Sequence, residues 1–212
     1  MPTHAYYESL WEGVPEGLAP SDVRLRERFL LGRVGDIAGH RARVLDVGCG
    51  EGHFAVALTR EGVEVVAIDI AAEPLRRALA RAPELDVRLV EPEGELPFED
   101  ASFDVVWAGE VIEHVADTSR WLSELRRVLR SGGALLVSTP DHGPLSRLRF
   151  ALSRSAFEEH FDPRSDHLRF YTRRALADLY ADFGFEDVEV VAAGGFPGAR
   201  RVLLASGRRN RF

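Results

Sequence analysis

The sequence predicts an α/β protein, a three-layer αβα sandwich built on a mostly parallel sheet. Three observations carry this. Apolar runs of strand length alternate with amphipathic runs of helix length, at the pace of βαβ units. The run 63–70 is apolar almost without a break, as a strand covered on both faces is. The strand before it, Val44-Leu45-Asp46-Val47, stops at Gly48-Cys49-Gly50-Glu51-Gly52 and then opens into a helix over 54–60. Glycine bends the backbone through conformations barred to other residues and lets a ligand approach closely. A helix N-terminus beside it adds unpaired N–H groups and the positive end of a dipole. Such a turn is a ligand seat.

Along the chain, residues 1–40 form a leading segment in which Tyr6, Tyr7 and Trp11 stand among prolines and glycines. Its rings either pack on the domain edge or fold over a site as a lid. Ser21 is placed to cap an amphipathic helix over 23–37. After the glycine turn come the strand ending near Asp69, a helix over 73–81, a short strand over 87–90, the loop Leu96-Pro97-Phe98-Glu99-Asp100 and a strand over 103–108. Asp117 or Thr118 caps the clearest helix, which puts Trp121, Leu122, Leu125, Val128 and Leu129 on one face, and Ser131-Gly132-Gly133 terminates it. A strand over 134–139 stops at Pro140. Periodicity then fades over 141–171, and so long a connection inside a compact domain is usually functional. Thr172 caps a helix presenting Leu176, Leu179, Tyr180 and Phe183, and Gly184 ends it. Strands over 188–192 and 202–205 read as a closing hairpin.

The 212 residues suit a single domain, 1–212. With 45% hydrophobic residues, no stretch approaches the roughly 20 apolar residues of a membrane span. The N-terminal residues do not read as a signal peptide, so no membrane partner and a cytoplasmic location are expected. One cysteine, Cys49, excludes an internal disulfide and a multi-cysteine zinc site, and is expected to fill a small place in the turn. All 27 basic residues are arginine, suited to planar pairs with surface carboxylates. The net charge of −7 argues against a long nucleic-acid track. Oligomeric state is not specified by any of these features.

The spacing of the turn separates two ligand classes. The dinucleotide fingerprint puts its third glycine three residues after the second, and His53 stands there. The glycines instead run Gly48, Gly50, Gly52, with Asp46 before them. VLDVGCGEG resembles the first motif of class I S-adenosylmethionine-dependent methyltransferases. VEVVAID, LPFEDASFDVVWAGEVIEHV and LRRVLRSGGALLVSTP resemble further motifs of that family, so the resemblance runs from about Arg43 to the end. It implies a Rossmann-like sheet of seven strands with an antiparallel last strand, and S-adenosyl-L-methionine as cofactor. Asp69, 19 residues beyond Gly50, would accept from two ribose hydroxyls, with Ile70 beside it. Asp46 and the turn residues Gly48, Cys49, Gly50 and Gly52 would hold the methionyl end. Helix capping by Asp69 and turn stabilisation by Asp46 are the structural alternatives. Relatives put an adenine-binding aspartate four residues before LPF, where this chain has Pro92; Glu91 or Glu93 substitutes, and Glu93 with Gly94 is preferred. Glu110 resembles the residue lining the cofactor's far side.

Methyl transfer from a sulfonium is an in-line displacement, so alignment and exclusion of water supply much of the rate. A base is needed only for a nucleophile that must lose a proton. Glu113 and His114 follow the fourth strand, where ligands of open α/β sheets bind, and His114 is the first candidate base; packing near the following helix is its alternative role. Glu110, Glu113 and His114, joined by His167, also resemble a divalent metal site of ubiquinone-pathway O-methyltransferases and small-RNA 2′-O-methyltransferases. A metal is an option here, not an expectation. Histidines and aromatics of the insert, His142, His167 and Tyr171 among them, would wall an acceptor pocket together with Tyr7 and Trp11. The implied reaction is methyl transfer to a small molecule, tilted toward oxygen. An RNA methyltransferase, a silent cofactor-binding protein and an NAD(P)-dependent oxidoreductase are the alternatives.

Overall fold

The computed structural model describes residues 3–37, 41–92, 94–197 and 199–210. Seven strands form one sheet: β1 (Arg43–Val47), β2 (Glu64–Asp69), β3 (Asp86–Leu89), β4 (Phe103–Gly109), β5 (Leu129–Pro140), β6 (Phe185–Ala193) and β7 (Val202–Arg209). Their order is β3-β2-β1-β4-β5-β7-β6. All pairs up to β4 and β5 are parallel, and β7 runs antiparallel to both of its neighbours. The expected three-layer sheet with an inserted antiparallel last strand is what forms.

Among the described residues eight α-helices accompany it: α1 (Thr3–Gly13), α2 (Val23–Ile37), α3 (His53–Arg60), α4 (Ala72–Arg81), α5 (Thr118–Val128), α6 (Pro144–Leu152), α7 (Arg154–His160) and α8 (Arg173–Asp182). Alternation along each strand sends side chains to two cores. Leu45, Val47, Val106 and Leu135 meet Leu122 and Leu125 of α5 and Leu176 and Tyr180 of α8. Val44, Val65, Val105 and Trp107 meet Leu30 of α2, Phe54 and Leu58 of α3 and Leu75 of α4. Both faces of the central strands are therefore dry, which is why they read as apolar runs.

Three local expectations are corrected. The residue preceding α2 is Asp22, not Ser21: its carbonyl accepts from Leu25 and Arg26, and its carboxylate binds Arg201 beside the hairpin. α5 stops at Val128, because Leu129 is already extended, and Ser131-Gly132-Gly133 lies inside β5. The 141–171 connection folds as α6 and α7. The caps at Asp117, which accepts from Arg120 N–H at 3.0 Å, and at Thr172 form as read.

Register decides where a site can lie. Val47 pairs with Ile68 on one side and Ala108 on the other, so Gly48, Asp69 and Gly109 come level at the C-terminal edge. Strand order reverses between β1 and β4, and open α/β sheets bind ligands in the crevice at such a reversal. Since the Asp117 carboxylate supplies the acceptor at the start of α5, Asp117→Ala is expected to cost about 1 kcal/mol of stability, read as a lower denaturant midpoint at unchanged slope.

Candidate active site

A cavity of roughly 270 Å³ opens at this reversal, walled by Val47 and Gly48, by Asp69 and Ile70, and by Glu110, Val111 and His114. The turn between β1 and α3 has Gly48, Gly50 and Gly52 all at positive φ. A Cβ on Gly48 would stand 2.6 Å from a Val111 methyl, so a side chain there would collide with the next wall as well as strain the backbone. Gly50 N–H donates to Asp69 Oδ2 at 2.9 Å, and Ala71 N–H donates to Oδ1 at 3.0 Å. Each oxygen keeps a second lone pair for a ligand hydroxyl. Burial pushes the Asp69 carboxyl up, and the backbone N–H donors oppose that. α3 starts after Gly52, which supplies no side-chain cap.

Asp46 does not stand on the cavity wall. It is 1% exposed, under the first turn of α3, where the Ala55 N–H reaches it. Burial, with Asp69 nearby, raises it to about 7, and the Arg26 guanidinium works against that rise. Arg26 itself is 2% exposed, its charge offset by Glu110, Glu113, Asp46 and Asp22, and it rests over the Phe54 ring at 4.9 Å. Sequence reasoning missed Arg26. The signal was an arginine on the apolar side of the helix, in line with Leu30 and Val34. Cys49 is buried and its thiol is pushed well up, so it is an inert filler of the turn.

On the adenine side, Gly94, Glu91 and Pro92 line the cavity, while Glu93 lies outside the described residues. Leu96, Trp121, Glu124 and Leu125 complete that end. Arg127 pins this loop by donating to the carbonyls of Phe98 and Leu96 and to Glu124, and Glu124 accepts from Leu96 N–H. Apart from the Arg127–Glu124 pair, which is three residues apart on α5, these contacts join residues about thirty apart, so no local pattern announces them.

The opposite rim carries the acid–base groups. Glu110 sits at φ 59° after β4, accepting from Ser138 Oγ at 3.0 Å. Glu113 is 1% exposed: Thr139 Oγ1 donates to Oε2 at 2.9 Å, and Oε1 has no partner among the described residues. Burial and the neighbouring Glu110 raise its carboxyl to about 8, so at pH 7 it is mostly neutral, which lowers the cost of an unpaired oxygen. His114 lines the cavity and faces the Asp166 carbonyl with Nδ1 at 3.0 Å. A carbonyl only accepts, so Nδ1 carries the proton and Nε2 keeps its lone pair. Burial holds the imidazole below its usual range, neutral at pH 7.

Of the four residues read as metal donors, Glu113, His114 and His167 bring ligand atoms within 4.8 Å of one another, and Glu110 stays apart beside Ser138. The donor set fits a cation only in part; a metal there would acidify an acceptor hydroxyl.

Among the residues assigned to the acceptor, Tyr7 and Trp11 do line the cavity, and the Tyr7 ring stands edge-on to His114 at 6.3 Å. His167 meets the His114 ring at 4.8 Å. His142 pairs with His160, Nε2 to Nε2 at 2.9 Å, in a separate cluster with Phe170. Tyr171 is a core residue instead, buried beneath Ile112 with its hydroxyl facing that carbonyl. Leu10 and Asp166 also reach the wall and were missed.

α1 closes over the cofactor side as a strap. The Trp11 ring would touch a Cβ on Gly50 at 3.1 Å. Arg77 donates to the carbonyls of Trp11 and Val14 at 2.9 and 2.8 Å while paired with Glu73 and Glu51. Glu8 takes the amides of Ala72 and Glu73 at the start of α4, and His4 contacts the Ile70 carbonyl and Glu91.

Fold and cavity define a doubly wound α/β protein with a ligand crevice at the strand reversal. The chain belongs to the class I S-adenosylmethionine-dependent methyltransferase family: a family model described as "Methyltransferase domain" matches residues 19–190. It is 36% identical over 157 residues to a probable S-adenosylmethionine-dependent methyltransferase of Mycobacterium tuberculosis, covering 74% of this chain and 53% of the relative. It is 38% identical over 122 residues to a ubiquinone biosynthesis O-methyltransferase of Xanthomonas oryzae, covering 56% and 49%. The chain thus spans about half the length of the curated relatives it matches. Phosphoethanolamine N-methyltransferase 2 of Haemonchus contortus, solved with S-adenosyl-L-methionine, shares the fold with a TM-score of 0.71 at 20% identity, covering 99% of this chain and 57% of that one.

Because Arg77 ties the strap through two carbonyls, Arg77→Met is expected to speed amide hydrogen exchange in residues 3–13 by on the order of tenfold or more, with exchange in β1 and β4 unchanged.

Proposed function

We propose that this chain transfers a methyl group from S-adenosylmethionine to an oxygen of a small organic acceptor. One observation carries the reading: His114 lines the cofactor cavity with Nδ1 committed to the Asp166 carbonyl, which leaves Nε2 to take a proton. Asp69 holds the ribose hydroxyls, the glycine turn holds the methionyl end, and Gly94 with its loop holds the adenine. Glu110 closes the far side. The acceptor enters between His114, His167 and Tyr7. As its oxygen bonds to the methyl carbon, the S–CH3 bond breaks, the sulfonium becomes a neutral thioether, and the hydroxyl proton passes to His114 Nε2. Glu113 keeps the loop of His114 in place, since its carbonyl accepts from the amides of Leu168 and Arg169 at 2.8 and 3.1 Å.

The choice of oxygen is supported by the ubiquinone O-methyltransferase relative, and the neutral imidazole supplies the base that a hydroxyl acceptor needs. A small acceptor, in place of RNA, is supported by the net charge of −7.

With a panel of phenolic acceptors, His114→Ala is expected to lower kcat by about 10²- to 10⁴-fold while leaving the Kd of S-adenosylhomocysteine within a factor of a few. Asp69→Ala is expected to raise that Kd by about tenfold or more. An unchanged kcat in His114→Ala removes the base; absence of turnover in the wild type with every acceptor, despite cofactor binding, favours a silent binding protein.

The pH profile has a definite sign. His114 accepts a proton only when neutral, and burial lowers its pKa from 6.5. The wild-type kcat/KM is therefore expected to fall on the acid side through a midpoint below that value, a limb that His114→Ala loses. Turnover is expected to survive treatment with a chelator. Loss on chelation, with recovery on adding Mg²⁺, would assign Glu113, His114 and His167 to a cation instead.

A further inference from the structure

Asp166 meets the His114 ring twice. Its carbonyl faces Nδ1 at 3.0 Å, and its carboxylate Oδ2 stands 3.3 Å from the same nitrogen. One N–H therefore has two acceptors on a single residue, the second of them charged. The carbonyl alone is enough to fix the tautomer, so the carboxylate is not needed for that. It lines the cavity with its side chain 26% exposed.

What this carboxylate lacks is a cation. Carboxylates elsewhere on the chain take arginines, but those nearest in sequence are engaged: Arg164 pairs with Asp162, and Arg169 donates to the carbonyls of Val115 and Ala116. Among the described residues the Asp166 carboxylate has no ion-pair partner except the His114 ring, which burial keeps neutral at pH 7. An anion held against a neutral imidazole gains most when that ring becomes charged. The ring becomes charged only as it takes the acceptor's proton, so the attraction strengthens in the transition state. No other group at the ring replaces it: His167 opposes a positive charge, Glu110 acts more weakly and is turned to Ser138, buried Glu113 is mostly neutral, and Tyr7 presents its ring edge.

The same charge bears on what enters. After burial itself, Asp166 is the strongest influence opposing ionisation of the Tyr7 phenol. An acceptor seated between Tyr7 and His114 meets that field, so one that arrives as an anion is repelled and one that arrives protonated is not. We infer that Asp166 is a positioning residue: its carboxylate stabilises the imidazolium that His114 becomes, and it selects acceptors with a protonated hydroxyl over acceptors already ionised. This rests on His114 as the base. The acceptor O–H proton goes to Nε2, the oxygen bonds to the methyl carbon, and the electron pair of the broken S–CH3 bond stays on sulfur. Nδ1 keeps its proton, and none passes to Asp166.

Asp166→Asn removes the charge and keeps the carbonyl. The test compares wild type, Asp166→Asn, His114→Ala and the double variant with S-adenosylmethionine and a chelator, at one mildly alkaline pH where 4-methylphenol is protonated and 4-nitrophenol ionised. With 4-methylphenol, Asp166→Asn is expected to lower kcat by about ten- to a hundredfold at nearly unchanged KM, and to add no further loss once His114 is Ala. With 4-nitrophenolate it is expected to lower KM by roughly threefold or more, the opposite direction. Affinity for S-adenosylhomocysteine is the control for folding and stays within a factor of a few. An equal loss with both phenols overturns the inference as a structural effect. An unchanged kcat with 4-methylphenol where His114→Ala lowers it overturns the inference and leaves the base in place, whereas a His114→Ala variant as active as the wild type removes the base and the inference with it. Where neither phenol is turned over, the 15N resonances of the His114 ring decide: protonation at a lower pH in Asp166→Asn than in the wild type supports the inference, and an unchanged midpoint overturns it.

Discussion

Gly50 donates its amide to the Asp69 carboxylate, and the geometry of the site depends on that bond. It joins the end of β1 to the end of β2. Three left-handed residues within five give a turn many ways to move, and a fixed acceptor on the next strand selects one of them. Burial pushes this carboxyl up, and the backbone N–H groups that bind it oppose that rise by supplying part of the missing solvation. A single carboxylate thus shapes the turn and, on the proposed reading, offers lone pairs to a ribose. These two functions explain why an acid, and not an amide, stands there: an amide has one oxygen to divide between Gly50 and Ala71 and would aim a donor at one of them.

Behind the turn lies a second constraint, a buried guanidinium among carboxyl groups. Arg26 balances Asp46, Glu110 and Glu113 without the close pairing that would satisfy all of them, since Arg26 Nε, Asp46 Oδ2 and Glu113 Oε1 are without partners among the described residues. Unmet polar groups in a dry site are costly for a protein that only has to fold. On the proposed reading a zwitterionic cofactor end binds beside them, and its ammonium and carboxylate change the local balance. The raised Asp46 and Glu113 carboxyls belong to the same arrangement. Each is held near the pH at which a new neighbouring charge can decide its state.

Much of this was legible in the residues. The glycine spacing, Asp69 at the next strand end and the strand-helix alternation pointed to the fold and to the cavity wall at Gly48 and Asp69, because each is a local pattern set by backbone geometry. The rim at Glu110 and His114 followed from its place after a strand. What local pattern could not carry was pairing across the chain. Tyr171 looked like a pocket residue in an aromatic stretch, and it is core because Ile112 lies over it. Asp46 looked like a wall of the site and sits one layer behind, since its strand parity sends it toward α3. Arg26 drew no attention because its partners lie on three other elements. The helices α6 and α7 were hidden for another reason: a two-turn helix with apolar residues on both sides has no single stripe to count.

That doubled pattern bears on how an acceptor is chosen. The inward side of the insert is a cluster of rings, His142 with His160 and Phe170, Phe150 on His160, and Phe161 against Phe150 and Phe170. It borders the pair His114 and His167 at the rim, since His167 acts electrostatically on both His142 and His160, and one continuous segment carries both His160 and His167. A shift of α6 and α7 as a unit would therefore be felt at the rim through residues 162–167 while the strand ends stay fixed. The cofactor wall is made of backbone and carboxylates locked by the sheet, and it has little room to vary. The acceptor wall hangs from helices whose rings can be exchanged for others of similar volume at modest cost. On the proposed reading, selectivity among acceptors belongs to that more variable wall, and chemistry common to the family belongs to the fixed one.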